Sequence, residues 1–137
     1  MAFQSTPSAA HFRLNAFAGV WEGDERVAAS AWTSEGKASA EFSGEALFGG
    51  FFLEQRYRQT RDGAVSFEAR NIFGFDASDQ TYKLYQFDTA GFAPPVPASG
   101  EWNGSELVLM KTSPRGSQRT VFTFEHEDCY RMGVSFS

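Results

Sequence analysis

From residue 37 to residue 89 the chain follows one local rule: side chains alternate between two kinds, and each alternating run ends at a turn. Over residues 37–48, Ala38, Ala40, Phe42, Gly44, Ala46 and Phe48 fall on one face, and Ser39, Glu41, Ser43 and Glu45 on the other. A period of two is the signature of a half-buried strand. After Gly49-Gly50, residues 51–61 place Leu53, Gln55, Tyr57 and Gln59 opposite Glu54, Arg56 and Arg58. Asp62-Gly63 is a strong hairpin signal. Residues 64–76 then put Val65, Phe67, Ala69, Asn71 and Phe73 on one face, and 77–80 read as a turn. Residues 81–89 set Tyr82, Leu84, Gln86 and Asp88 against Lys83, Tyr85 and Phe87.

The flanks extend the pattern. Ser8 caps a predicted short helix over residues 9–17, with Phe12, Leu14 and Phe17 inward. A strand follows over 18–30, in which Gly19-Val20-Trp21-Glu22-Gly23 suits the end of a barrel. The glycines permit close approach, and the indole is an apolar plug whose N–H needs a partner. Residues 31–36 read as a loop. Residues 90–100, with Phe92, Pro94, Pro95, Val96 and Pro97, are too proline-rich for a sheet interior and read as either a lid or a packed corner. Short strands at 100–103, 106–112, 118–126 and 129–137 follow, with a type I′ turn expected at Asn103-Gly104 and a turn at 113–117. About nine strands joined by tight turns predict an all-β, up-and-down antiparallel barrel with one short N-terminal helix.

A chain of 137 residues is expected to form a single domain over its whole length. Its 15 phenylalanines favour strands. The net charge of −5, without a basic block, argues against nucleic acid as a partner. Residues 1–10 show no secretory signal pattern, and no apolar run reaches membrane-spanning length. The one cysteine, Cys129, forms no internal disulfide and reads as a small core residue; a cytoplasmic location is the resulting expectation.

Signatures of metalloproteases, redox dithiols, serine hydrolases and phosphate loops are absent. With one Cys and two His, neither a metal site nor a cofactor is expected, and no catalytic residue is assigned. His11 reads as a surface or packing residue and His126 as a hairpin-end surface residue. Glu22, Asp24 and Glu25 read as a solvated strand face rather than a calcium loop. One constellation remains. If the apolar faces point inward, Gln55, Tyr57, Asn71, Gln86 and Asp88 follow them, beside Phe67, Phe73 and Leu84. A few polar groups converging in an apolar setting suit a small apolar ligand. The alternative is that they hydrogen-bond one another or buried water. A second reading makes Asp88 an acid/base, with Tyr57 or Gln86 orienting a substrate.

The segments Phe17-Ala18-Gly19-Val20-Trp21-Glu22-Gly23, Phe73-Gly74-Phe75-Asp76, Tyr82-Lys83-Leu84-Tyr85-Gln86-Phe87-Asp88 with Gly91-Phe92, and Ser113-Pro114-Arg115-Gly116 resemble a bacterial family, the domain of unknown function numbered 1579. The resemblance covers nearly the whole chain. It implies a calycin-like barrel, distantly similar to lipocalins, fatty-acid-binding proteins and nitrobindins, with no established activity. The family usually has Trp where this chain has Gln86. Its members also usually continue past Ser137 into a final strand, so closure against the first strand is left open. The late His through which nitrobindins hold haem has no match here, and haem stays a minor option, with His126 the residue to test. Unpaired edges, together with Tyr85 and Phe87 on the outer face, favour a homodimer, or aggregation, over a monomer. The alternative places both aromatics beneath the N-terminal helix.

Overall fold

The computed structural model describes residues 6–27, 35–94, 96–114 and 116–136. Nine strands are present among them: β1 Gly19–Val27, β2 Gly36–Leu47, β3 Phe52–Arg61, β4 Ala64–Asp76, β5 Thr81–Asp88, β6 Ala98–Asn103, β7 Glu106–Ser113, β8 Gly116–His126 and β9 Cys129–Phe136. They form one antiparallel sheet in sequence order, so every connection is a hairpin. The sheet curls into a half-barrel. β1 and β9 share no ladder among the described residues, although Trp21 and Tyr130 from these two strands meet at 4.7 Å between ring centroids. The end of the strand expected over 18–30 and most of the loop expected over 31–36 lie outside the described residues.

Alternation fixes which face is inside. The buried row Leu53, Phe73, Leu84, Ala98 runs across β3 to β6. Leu107, Leu109 and Phe122 continue it on β7 and β8, each 0% exposed. Each such side chain contributes about 1.5–3 kcal/mol by leaving water. Two expected inward residues fall elsewhere. Between Gln59 and Thr60 the register shifts, so Thr60 pairs with Val65 and Ser66 is the extra residue. That bulge moves Val65 to the outer face, where it is exposed. Phe48 stands at the β2–β3 hairpin with φ 54° and is likewise exposed.

Asp62 and Gly63 take φ 53° and 80°, as a type I′ turn demands. At the β6–β7 hairpin the structure corrects the expected turn. Asn103 pairs with Glu106, which leaves Gly104 and Ser105 as the central residues. Gly104 has φ 62°, while neither Asn103 nor Ser105 has a positive φ. A glycine in the first central position is the II′ arrangement.

The N-terminal segment closes one end. Helix α1 spans Ala9–Phe12 and tightens into a 3-10 helix, Arg13–Phe17. The residues facing inward are His11, Leu14 and Phe17. Phe12 was expected among them but is 49% exposed, because α1 lasts a single turn and His11 takes the buried position. The His11 ring lies edge-on to Phe51 and Phe75, and its Nδ1 accepts the Ser8 N–H at 3.0 Å. It is therefore a packing residue, and burial lowers its pKa. Phe17 stacks on Phe73 at 4.6 Å and meets Phe122, Phe124 and Tyr130 edge-on. Its carbonyl accepts the Trp21 indole N–H at 3.1 Å, the partner the indole required. Gly44 sits directly beneath that carbonyl, where a Cβ would collide with backbone.

Candidate functional site

Antiparallel pairing turns the inward polar residues into rows, since directly opposed residues share a face. Gln55, Asn71 and Gln86 are consecutive partners across β3, β4 and β5. The row Leu53, Phe73, Leu84 lies on the side nearer the helix, as apolar floor. On the other side comes Trp21, Phe42, Tyr57, Ala69, Asp88, followed by Gln59 and Phe67. All eight residues singled out in the sequence thus occupy one concave patch. They differ in depth: Gln55, Asn71, Phe73 and Leu84 are buried, Tyr57, Phe67 and Gln86 are half-buried, and Asp88 is exposed at the rim.

The buried members bond to one another, but not completely. Asn71 Nδ2 donates to Gln55 Oε1 at 2.9 Å, and Gln55 Nε2 donates to the Tyr130 hydroxyl at 3.1 Å. Asn71, 3% exposed, keeps Oδ1 without a hydrogen-bond partner among the described residues. Such a group costs about 1–3 kcal/mol when left unsatisfied. Burial pushes the Tyr130 phenol above its ordinary value, so it stays protonated and able to donate. Further along, Gln118 Nε2 donates to Thr120 Oγ1 at 3.2 Å and lies 3.4 Å from Gln86 Oε1.

Nearer the open end, the Tyr57 hydroxyl donates to the Glu25 carboxylate and accepts from Gln59 Nε2 at 3.0 Å. Burial, with Glu25 second, pushes the Tyr57 phenol up. Glu25 is therefore not part of a solvated face, as its sequence neighbours suggested. Odd parity on β1 turns it inward beside Ala38, while Glu22 and Asp24 point out and are exposed. The Phe42 ring stacks on Tyr57 at 4.7 Å, and Phe67 lies at 6.0 Å from it.

Tyr130 was missed in the sequence, as were Gln118 and Thr120. The signal was present in β9: Tyr130, Met132, Val134 and Phe136 alternate, and they pair with Phe124, Phe122, Thr120 and Gln118. Met132, Val134 and Phe136 consequently share the concave face, yet they are exposed, so apolar surface lines this edge. Cys129 is only half-buried rather than in the core, because it begins β9 at a hairpin end.

Other candidates are dispersed. Asp88 Oδ1 accepts the Ala90 N–H at 2.9 Å, which makes it a turn cap. His126 is exposed and its Nδ1 accepts the Asp128 N–H. Among the described residues no cluster of three His, Cys, Asp or Glu side chains could hold a metal ion, and no helix is long and apolar enough to cross a membrane. Phe92 and Val96 of the proline-rich segment are exposed; Pro95 lies outside the described residues. Tyr85 and Phe87 are 39% and 49% exposed on the outer wall, so the N-terminal helix does not cover them.

No curated protein matches the chain. The family described as protein of unknown function (DUF1579) matches residues 6–137. With that match spanning nearly the whole half-barrel and its polar interior, the chain belongs to the DUF1579 family.

Proposed function

We propose that the concave face of the half-barrel binds a small amphipathic molecule, with an apolar body and one uncharged polar head. The observation that carries this reading is Asn71 Oδ1, unpaired among the described residues and buried beside a Gln55–Tyr130 hydrogen bond. Asn71 Oδ1 needs a donor, and the Tyr130 hydroxyl has a proton to give. A hydroxyl or protonated carboxyl group offers both. The body would lie along Phe42, Tyr57 and Phe67 and the exposed strip Met132, Val134, Phe136. Apolar walls with few convergent polar groups are the usual make-up of a small-molecule site. The acid/base reading is weaker, since the Asp88 carboxylate is exposed and caps a turn.

The test uses the neutral fluorescent probe N-phenyl-1-naphthylamine, displaced by decanol or by decane. Wild type is expected to bind the probe saturably and to prefer decanol. Asn71→Leu and Tyr130→Phe should each weaken decanol about tenfold, the value of one buried hydrogen bond, and leave decane unchanged. Tyr130→Phe deletes one oxygen, so it keeps the test valid if Asn71→Leu unfolds. Absence of saturable binding, or an equal response to decanol and decane, refutes the proposal.

A further inference from the structure

The outer face of the same strands carries a second arrangement that the concave reading does not use. Register places Val20, Ser43, Arg56, Arg70 and Phe87 in one row across β1 to β5. A groove of about 530 Å³ opens along this row, within the range of small-molecule sites. Ser43, with its short side chain, lines the groove between Val20 and Arg56.

Two guanidinium groups on directly opposed residues repel, which costs stability unless something neutralises them. Arg56 is neutralised on one side: its Nε donates to Glu54 Oε1 at 2.8 Å. Arg70 makes no ion pair or hydrogen bond with any described residue. The neighbouring row is Glu41, Arg58, Glu68, with Arg58 Nε 3.9 Å from Glu68. Glu41, Glu68 and Asp88 balance Arg56, Arg58 and Arg70 in number around the groove, which disfavours a polyanion; of the three arginines, Arg70 alone has no carboxylate in ion-pair range among the described residues. Opposite Arg70 on β5 stands the Phe87 ring, half out in solvent. A planar carboxylate matches the guanidinium fork, and an aryl ring matches Phe87.

We infer that this row is a binding site for a small aromatic monocarboxylate, held by Arg70 and Arg56 with its ring against Phe87. The groove also borders Phe42, Tyr57, Ala69 and Asp88 of the concave row, but its ligand is charged where the concave probes are neutral, so the two proposals fail independently.

The experiment is an amide NMR titration with benzoate and with neutral benzamide at constant ionic strength. Benzoate is expected to shift amides of β2 to β5 saturably, and benzamide to leave them unmoved. Arg70→Gln should weaken benzoate by about tenfold or more, the scale of a charge-assisted hydrogen bond. Phe87→Ala should weaken it several-fold. Arg119→Gln, an exposed arginine on β8, is the control and should change nothing. These side chains are exposed, so the variants keep the fold. No saturable shift, equal response to benzamide, or equal loss in Arg119→Gln and Arg70→Gln overturns the inference.

Discussion

Phe17 tests how the half-barrel is held together. It is 0% exposed, stacked on Phe73 at 21° and 4.6 Å, with Phe122 and Phe124 edge-on at 5.0 and 5.1 Å. Truncating a buried Phe to Ala costs about 3–5 kcal/mol. Well-oriented ring pairs add about 0.5–1.5 kcal/mol each beyond burial, so Phe17→Ala belongs at the top of that range. Typical domains hold only about 5–15 kcal/mol in total. With 137 residues, each kcal/mol lowers Tm by roughly 3–4 °C. The expected fall is therefore roughly 15 °C, measured by calorimetry alongside near-ultraviolet dichroism. Phe12→Ala is the internal control. It lies five residues earlier and is 49% exposed, so its cost should stay below about 1 kcal/mol. The reasoning fails if the two substitutions cost the same, or if Phe17→Ala costs only about 1 kcal/mol.

Gly44→Ala should destabilise by several kcal/mol, since the new methyl meets the Phe17 carbonyl, whereas Gly23→Ala meets nothing within 4 Å and should leave Tm unchanged or slightly higher; comparable melts for the two would contradict the packing described. The Tyr57 and Tyr130 phenols titrate above their ordinary value of 10.0 in the fold, so the folded state holds those protons more tightly. The stability they confer is complete below pH 10 and is lost as pH rises beyond it. The denaturant midpoint should fall on the alkaline side, and Tyr57→Phe with Tyr130→Phe should flatten that fall; an unchanged slope in the double variant would count against it.

Strand alternation is a local property, and burial of one face enforces it, so it could be read directly from the sequence. That is why the alternation alone puts Gln55, Asn71 and Gln86 on the inner face with Leu53, Phe73 and Leu84, while the pairing register decides that the apolar three form the floor. Hairpin turns are local too, and Asp62-Gly63 behaved as its residues demand. Where the local count breaks, as at the Ser66 bulge, the parity of Val65 broke with it. What sequence could not provide depends on contacts far apart in the chain. Gln55 finds Tyr130 across 75 positions, and Tyr57 finds Glu25 across 32. Those partners depend on how strongly the sheet curls and which inner faces meet, and Phe17 touches β4, β8 and β9 at once across that curl. The outer groove has the same origin: Ser43, Arg56, Arg70 and Phe87 are unremarkable alternating residues until four strands align them in one row. The local pattern determined the faces; only the tertiary structure decided which side chains on those faces meet and which, like Asn71 Oδ1, are left without a partner among the described residues.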